Sequence, residues 1–108
     1  MSVTYGEDIR TRLQRGDGLL LERLTDIFGP GTDDLNSRLT HYTELLTLFE
    51  QIYDPQQQTA LIRTPARINL KGVHVDHRGG YLNYMAINRE VVMVVSPRDD
   101  DLVVLHDE

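Results

Sequence analysis

The stretch RTPARINLKGVHVDHRGGYLNYMAINREVV, Arg63 to Val92, sets two histidines, an aspartate, several basic residues and a glycine pair between two strand-like runs. Polar and charged groups at that density are costly to bury without partners. An ordinary turn does not require them, so the segment reads as one that holds a ligand. Arg67 and Asn69 alternate in ARINL, which in an extended chain places them on one face and Ile68 and Leu70 on the other. One face then packs and the other presents a cation and an amide. Gly72 and the pair Gly79-Gly80 permit sharp bends and close approach of a ligand to backbone. Between them His74 and Asp76 alternate, so both side chains are expected to face one cleft, with His77 and Arg78 at its rim. A carboxylate accepts hydrogen bonds from two hydroxyls, a histidine donates or accepts, and a guanidinium offers a rigid donor fork for phosphate or carboxylate. Such a set suits a polyhydroxylated ligand with an anionic group beside it.

On the N-terminal side the pattern is helical. EDIRTRLQRG reads as a short polar helix ending at Gly16. DGLLLERLTDIFGPG follows, with Leu20, Leu21, Leu24, Ile27 and Phe28 at helical spacing, stopped by Gly29-Pro30-Gly31. From Thr32 or Asp33, either able to cap, Leu35, Leu39, Tyr42, Leu45, Leu46, Phe49 and Ile52 recur at three and four residues. That predicts an amphipathic helix of about five turns, ended by DPQQQ. On the C-terminal side the period changes: TALIRT, YLNYMAI, REVVMVVS and DLVVLH are rich in β-branched and aromatic residues and read as strands, with PRDDD as a hairpin turn. The expected fold class is α+β, with N-terminal helices followed by a small, mainly antiparallel sheet. The expected organisation is a helical region, residues 1–58, and a strand-rich region, 59–108, together one incomplete domain.

Composition narrows the function. The chain of 108 residues is 40% hydrophobic and 26% charged, normal for a single globular domain. A net charge of -6 repels polyanions, so nucleic acid and anionic membrane are not expected partners, although a local basic patch still suits one small anion. With no cysteine, disulfides, thiolate metal sites and thiol nucleophiles are excluded, and a reducing cytoplasm fits. MSVTYGEDIRTRLQ is not a signal peptide, and the longest apolar runs, such as EVVMVVS, are too short to span a bilayer. Simpler readings stand beside the ligand site. Taken alone, Arg67 reads first as a surface salt-bridge partner, Asp76-His77-Arg78 equally as a solvated turn, and His41 and His106 as structural or exposed. HVDH also offers three metal donors, but the run lacks the further histidines of an H-x-H-x-D-H motif, and no cysteine is present to complete a tetrahedral set.

The run Pro65-Ala66-Arg67-Ile68-Asn69-Leu70-Lys71-Gly72-Val73-His74-Val75-Asp76-His77-Arg78-Gly79-Gly80 resembles the galactokinase signature of the GHMP sugar kinases, close to P-G-R-x-N-L-I-G-E-H-T-D-Y-x-G-G. The similarity continues through Met85-Ala86-Ile87 and SPRDD, from Thr64 to Glu108, and the helix from Asp33 to Tyr53 sits where such kinases place one. The resemblance implies part of a GHMP kinase N-terminal domain, related to the second domain of ribosomal protein S5. It implies phosphoryl transfer from ATP with Mg2+ to the anomeric hydroxyl of a monosaccharide. Carried over by position, Arg67 would be catalytic, stabilising charge near the transferring phosphoryl group. Asp76 and His74 would contact the sugar, with Val73 and His77 at its outer end, and Gly79 and Gly80 would shape the turn.

The departures are informative. Where the family has a glutamate that holds the outer end of galactose, this chain has Val73; His77 replaces a tyrosine and Lys71 an apolar residue. Removing an acid and adding bases favours a carboxylate there by Coulomb attraction. The H-I-D-H type run of plant galacturonokinase is similar, so a uronic acid such as galacturonate is the expected substrate, with a pentose as the other option. No glycine- and serine-rich phosphate loop follows residue 80, and the family's catalytic aspartate is not assignable. The chain is therefore expected to be an N-terminal fragment, catalytically incompetent alone, its ATP- and Mg2+-binding residues lying elsewhere in the parent enzyme. Open sheet edges and uncovered apolar surface imply self-association. The competing functions are a non-catalytic sugar-binding or regulatory module of the same family, and an interaction domain without ligand.

Overall fold

A computed structural model describes residues 5–30, 33–72, 74 and 76–107, with Asp76 described by its backbone. Among the described residues three helices come first: α1 (Gly6–Arg15), α2 (Gly18–Phe28) and α3 (Asp33–Ile52). Two strands follow, β1 (Ala60–Lys71) and β2 (Asn83–Val95), paired in a two-stranded antiparallel sheet. The fold is thus α+β, as expected. The chain divides into two compact units, Met1–Leu61 with Val94–Glu108, and Ile62–Met93. Thr32, one of the two expected caps of α3, lies outside the described residues. No helix among the described residues is long and apolar enough to cross a membrane.

The first unit holds the core. Its buried apolar side chains are Leu13 from α1, Leu24 from α2, and Leu35, Tyr42 and Leu46 from α3, with Leu46 fully enclosed. On α3 these positions repeat at seven and four residues, so one stripe of the helix faces its neighbours. Arg10 on α1 is ion-paired with Glu50 on α3 (Nε–Oε2 3.0 Å), and the Arg38 guanidinium of α3 lies 5.4 Å from the Phe28 ring centroid of α2. An antiparallel bridge between Tyr5 and Gln58 ties the start of α1 to the segment after α3.

The junction of α1 and α2 is built on one residue. Gly16 takes a left-handed conformation (φ 66°, ψ 52°), and the N–H groups of Gly16 and Asp17 donate to the carbonyls of Leu13 and Arg12, a Schellman closure. Asp17 then turns its carboxylate to the next helix: Oδ1 accepts from the Leu20 N–H (3.3 Å) while Oδ2 accepts from Arg12 Nε (3.1 Å). The Arg12 hydrogen bond, with the Leu20 N–H second, holds the Asp17 carboxyl below its ordinary value of 3.8.

The strand expectations need three corrections. TALIRT is only the start of β1, which runs on through Lys71, and the two runs YLNYMAI and REVVMVVS form one strand, β2. DLVVLH is not a strand: residues 102–107 are irregular, with Val103 87% exposed and His106 Nε2 3.0 Å from the Tyr53 hydroxyl. β-rich composition makes a strand only where an edge offers backbone partners and a face offers packing. PRDDD accordingly forms local bends, with Arg98 Nε donating to Asp100 Oδ1 at 2.8 Å, and not a hairpin turn. The hairpin that does form is closed by residues 72–82. Gly72 sits at φ 91°, and a Cβ there would overlap the Tyr81 carbonyl oxygen and come within 3.2 Å of Leu82 Cα. Gly79 also has positive φ, 73°, but open space around it.

Two outcomes follow from these contacts. Gly72→Ala adds a backbone clash to the strain of a left-handed residue, which costs on the order of 1–3 kcal/mol by itself. Amide exchange in β1 and β2 should therefore accelerate more in Gly72→Ala than in Gly79→Ala; equal effects would show that the close approach is not made. For Asp17, the folded carboxyl is more acidic than the unfolded one. Its contribution is present above the unfolded value and lost as pH falls through the folded one. The thermal midpoint of the wild type, compared with Asp17→Asn, should lose its advantage on acidification; a difference that does not change with pH would count against the Arg12 contact.

Candidate functional site

The second unit is the hairpin formed by Ile62–Met93. Its side-chain pairs follow an antiparallel register, in which partners fall in number as the first strand advances. Arg63 on β1 is ion-paired with Glu90 on β2, whose side chain is 2% exposed. Further along, Arg67 meets Tyr84, and Gly72 abuts Tyr81 and Leu82. A buried carboxylate needs a partner that satisfies it, and Arg63 supplies that partner.

Arg67 stands inside β1 with its guanidinium carbon 4.2 Å from the centroid of the Tyr84 ring. Among the described residues it makes no ion pair. A guanidinium lying on a ring keeps its in-plane N–H groups for other acceptors. Asn69 follows two residues later, also exposed. Ile68 and Leu70, expected to pack on the opposite face, are 39% and 56% exposed. A two-stranded ribbon has too little area to bury a face by itself.

The remaining candidates lie in the loop. His74 is exposed in a turn with φ 65°, and Asp76 opens a 3-10 turn, Asp76–Arg78. The backbone here bends, so the period-two argument that aimed His74 and Asp76 into one cleft does not describe it. His77 and Arg78 are exposed, and Arg78 Nε donates to His77 Nε2 at 3.2 Å, which makes that nitrogen an acceptor. Gly79 and Gly80 complete the turn before β2. Val73 lies outside the described residues. The loop thus gathers His74, Asp76, His77, Gly79 and Gly80 along one bend, while Arg67 stands in the strand beside Tyr84. Tyr84 itself did not emerge from motif reading. The signal was available in the hairpin register, which brings the first residues of β2 opposite the second half of β1.

Residues 47–97, which take in the end of α3, both strands and the loop, match the family model described as the galactokinase galactose-binding signature. A galactokinase from Chloroflexus aurantiacus is 40% identical over 63 residues, covering 56% of this chain and 16% of that protein. A galactokinase from Chloroflexus aggregans is 36% identical over 62 residues, again 56% and 16%. A galactokinase from Dictyostelium discoideum is 28% identical over 89 residues, covering 81% of this chain and 17% of that protein. The chain spans about a sixth of the length of these curated relatives. No solved structure matches it. The strand, loop and strand that carry Arg67, Asp76 and the glycine pair are therefore the stretch where the resemblance to galactokinases is concentrated, and over it the chain is galactokinase-like.

Proposed function

We propose that this chain is the sugar-contacting N-terminal part of an ATP-dependent sugar 1-kinase, and that its substrate is a uronic acid such as galacturonate. The observation that carries the reading is Arg67: an exposed guanidinium, in no ion pair among the described residues, within the segment that matches the galactose-binding signature. Phosphoryl transfer depends on positioning and on charge stabilisation, and an arginine with open N–H groups supplies the second. In this reading Arg67 is the catalytic cation, while His74, Asp76 and His77 receive the sugar on the bend shaped by Gly79 and Gly80. Val73 in place of an acid, with Lys71, His77 and Arg78 near it in sequence, favours a carboxylate at the sugar's outer end.

ATP and Mg2+ are assigned to other residues of the parent enzyme. Each helix here starts with acids: Glu7 and Asp8 on α1, the Asp17 cap of α2, Asp33 and Asp34 on α3. A helix N-terminus that holds its own carboxylates is a poor site for nucleotide phosphates. On this reading the 108 residues alone transfer no phosphoryl group, and the protein works in the cytoplasm, where ATP is supplied.

Calorimetric titration of the chain with galacturonate, galactose and arabinose tests the substrate class. Galacturonate should give the largest heat, and Asp76→Ala should abolish it. A preference for galactose would reject the uronate assignment, and equal heats in Asp76→Ala would reject Asp76 as a sugar ligand. Exposed Leu102, Val103 and Leu105 and the hairpin's unpaired strand edges also favour pairing of two chains. Light scattering should give a mass above that of one chain, rising with concentration; a monomer at the highest concentration would refute it.

A further inference from the structure

We infer that Tyr84 is a positioning residue for Arg67, its ring serving as the platform that aims the guanidinium; this rests on the role given to Arg67 in the proposed function. At 4.2 Å from the ring centroid, the Arg67 guanidinium carbon is well inside the roughly 6 Å range of a cation held on a ring face. The ring is also tied to the loop. Tyr84 is the second residue of β2, and the backbone just before it, at Tyr81 and Leu82, is the part that packs against Gly72. A shift in the loop therefore moves the platform, and the platform moves the cation.

The choice of an aromatic partner has a chemical consequence. Arg10, Arg12, Arg63 and Arg98 each commit N–H groups to a carboxylate, of Glu50, Asp17, Glu90 and Asp100 respectively. A ring face restrains a guanidinium without consuming an N–H group. Arg67, in no ion pair among the described residues, is thus held in place with its donor fork available to the oxygens of a phosphoryl group or a sugar. The part of Tyr84 that matters is the ring, so phenylalanine should substitute for it and leucine should not.

The experiment reads the Arg67 Nε–Hε resonance in the 15N-labelled chain, then titrates galacturonate 1-phosphate, the product of the proposed reaction. In the wild type and in Tyr84→Phe the resonance should carry the ring-current displacement of a stacked guanidinium, and in Tyr84→Leu it should return to the position of a free arginine. Dissociation constants should stay together for the wild type and Tyr84→Phe and rise roughly two- to five-fold in Tyr84→Leu. An undisplaced resonance in the wild type overturns the inference without any variant. So does a Tyr84→Leu chain that binds as the wild type does while Arg67→Ala loses binding, an outcome that leaves the proposed function standing. The reverse case, in which the wild type binds nothing or Arg67→Ala binds normally, removes the proposed function, and the resonance still reports whether the platform exists.

Discussion

The close approach of Gly72 to the backbone of Tyr81 and Leu82 is the constraint on which the hairpin depends. Only a residue without Cβ can stand there, and only a glycine takes φ 91° readily. Once that contact is made the strand register is set, because a slip by one residue would send each side chain to the opposite face. The register then decides which side chains meet: Arg63 with the buried carboxylate of Glu90, and Arg67 with the ring of Tyr84. The two arginines are four residues apart on the same strand yet have opposite uses. One is spent on satisfying a buried acid, and the other lies over a ring and is in no ion pair among the described residues.

Burial and chemistry are divided between the units. The helices of the first unit contribute the buried leucines and Tyr42, and their charges are placed to cap and cross-link. The hairpin buries little and displays a cation, an amide, two histidines and a glycine-rich bend. Loops held by a regular scaffold are where binding groups concentrate, since their backbone is open to solvent and their side chains are not committed to a core.

Much of the fold was legible from local signals. The helix limits at Gly16 and Gly29 follow from residues that terminate helices by their own backbone freedom, and the α3 stripe follows from spacing alone. What sequence pattern misread were the features that need a neighbour. The period-two pattern correctly marked extended chain around Ile68 and Leu70, but whether a face is covered depends on what lies across it. Val103 and Leu105 have strand-forming side chains and no strand, because pairing is a property of two segments. At the candidate site the residue types of the loop were legible through the resemblance, whereas the bend at His74 and the stacking of Arg67 on Tyr84 are three-dimensional facts that no spacing rule encodes.

The carboxylate and the amide of Asp17 belong to different helices: the N–H closes the one before it and the side chain opens the one after. Fraying normally begins at helix ends, where hydrogen bonds are fewest. Here the end of one helix and the beginning of the next share a single latch, so unwinding α1 from its C-terminus also releases the first turn of α2. The two segments behave as one cooperative element whose weakest points are its outer extremities rather than its middle.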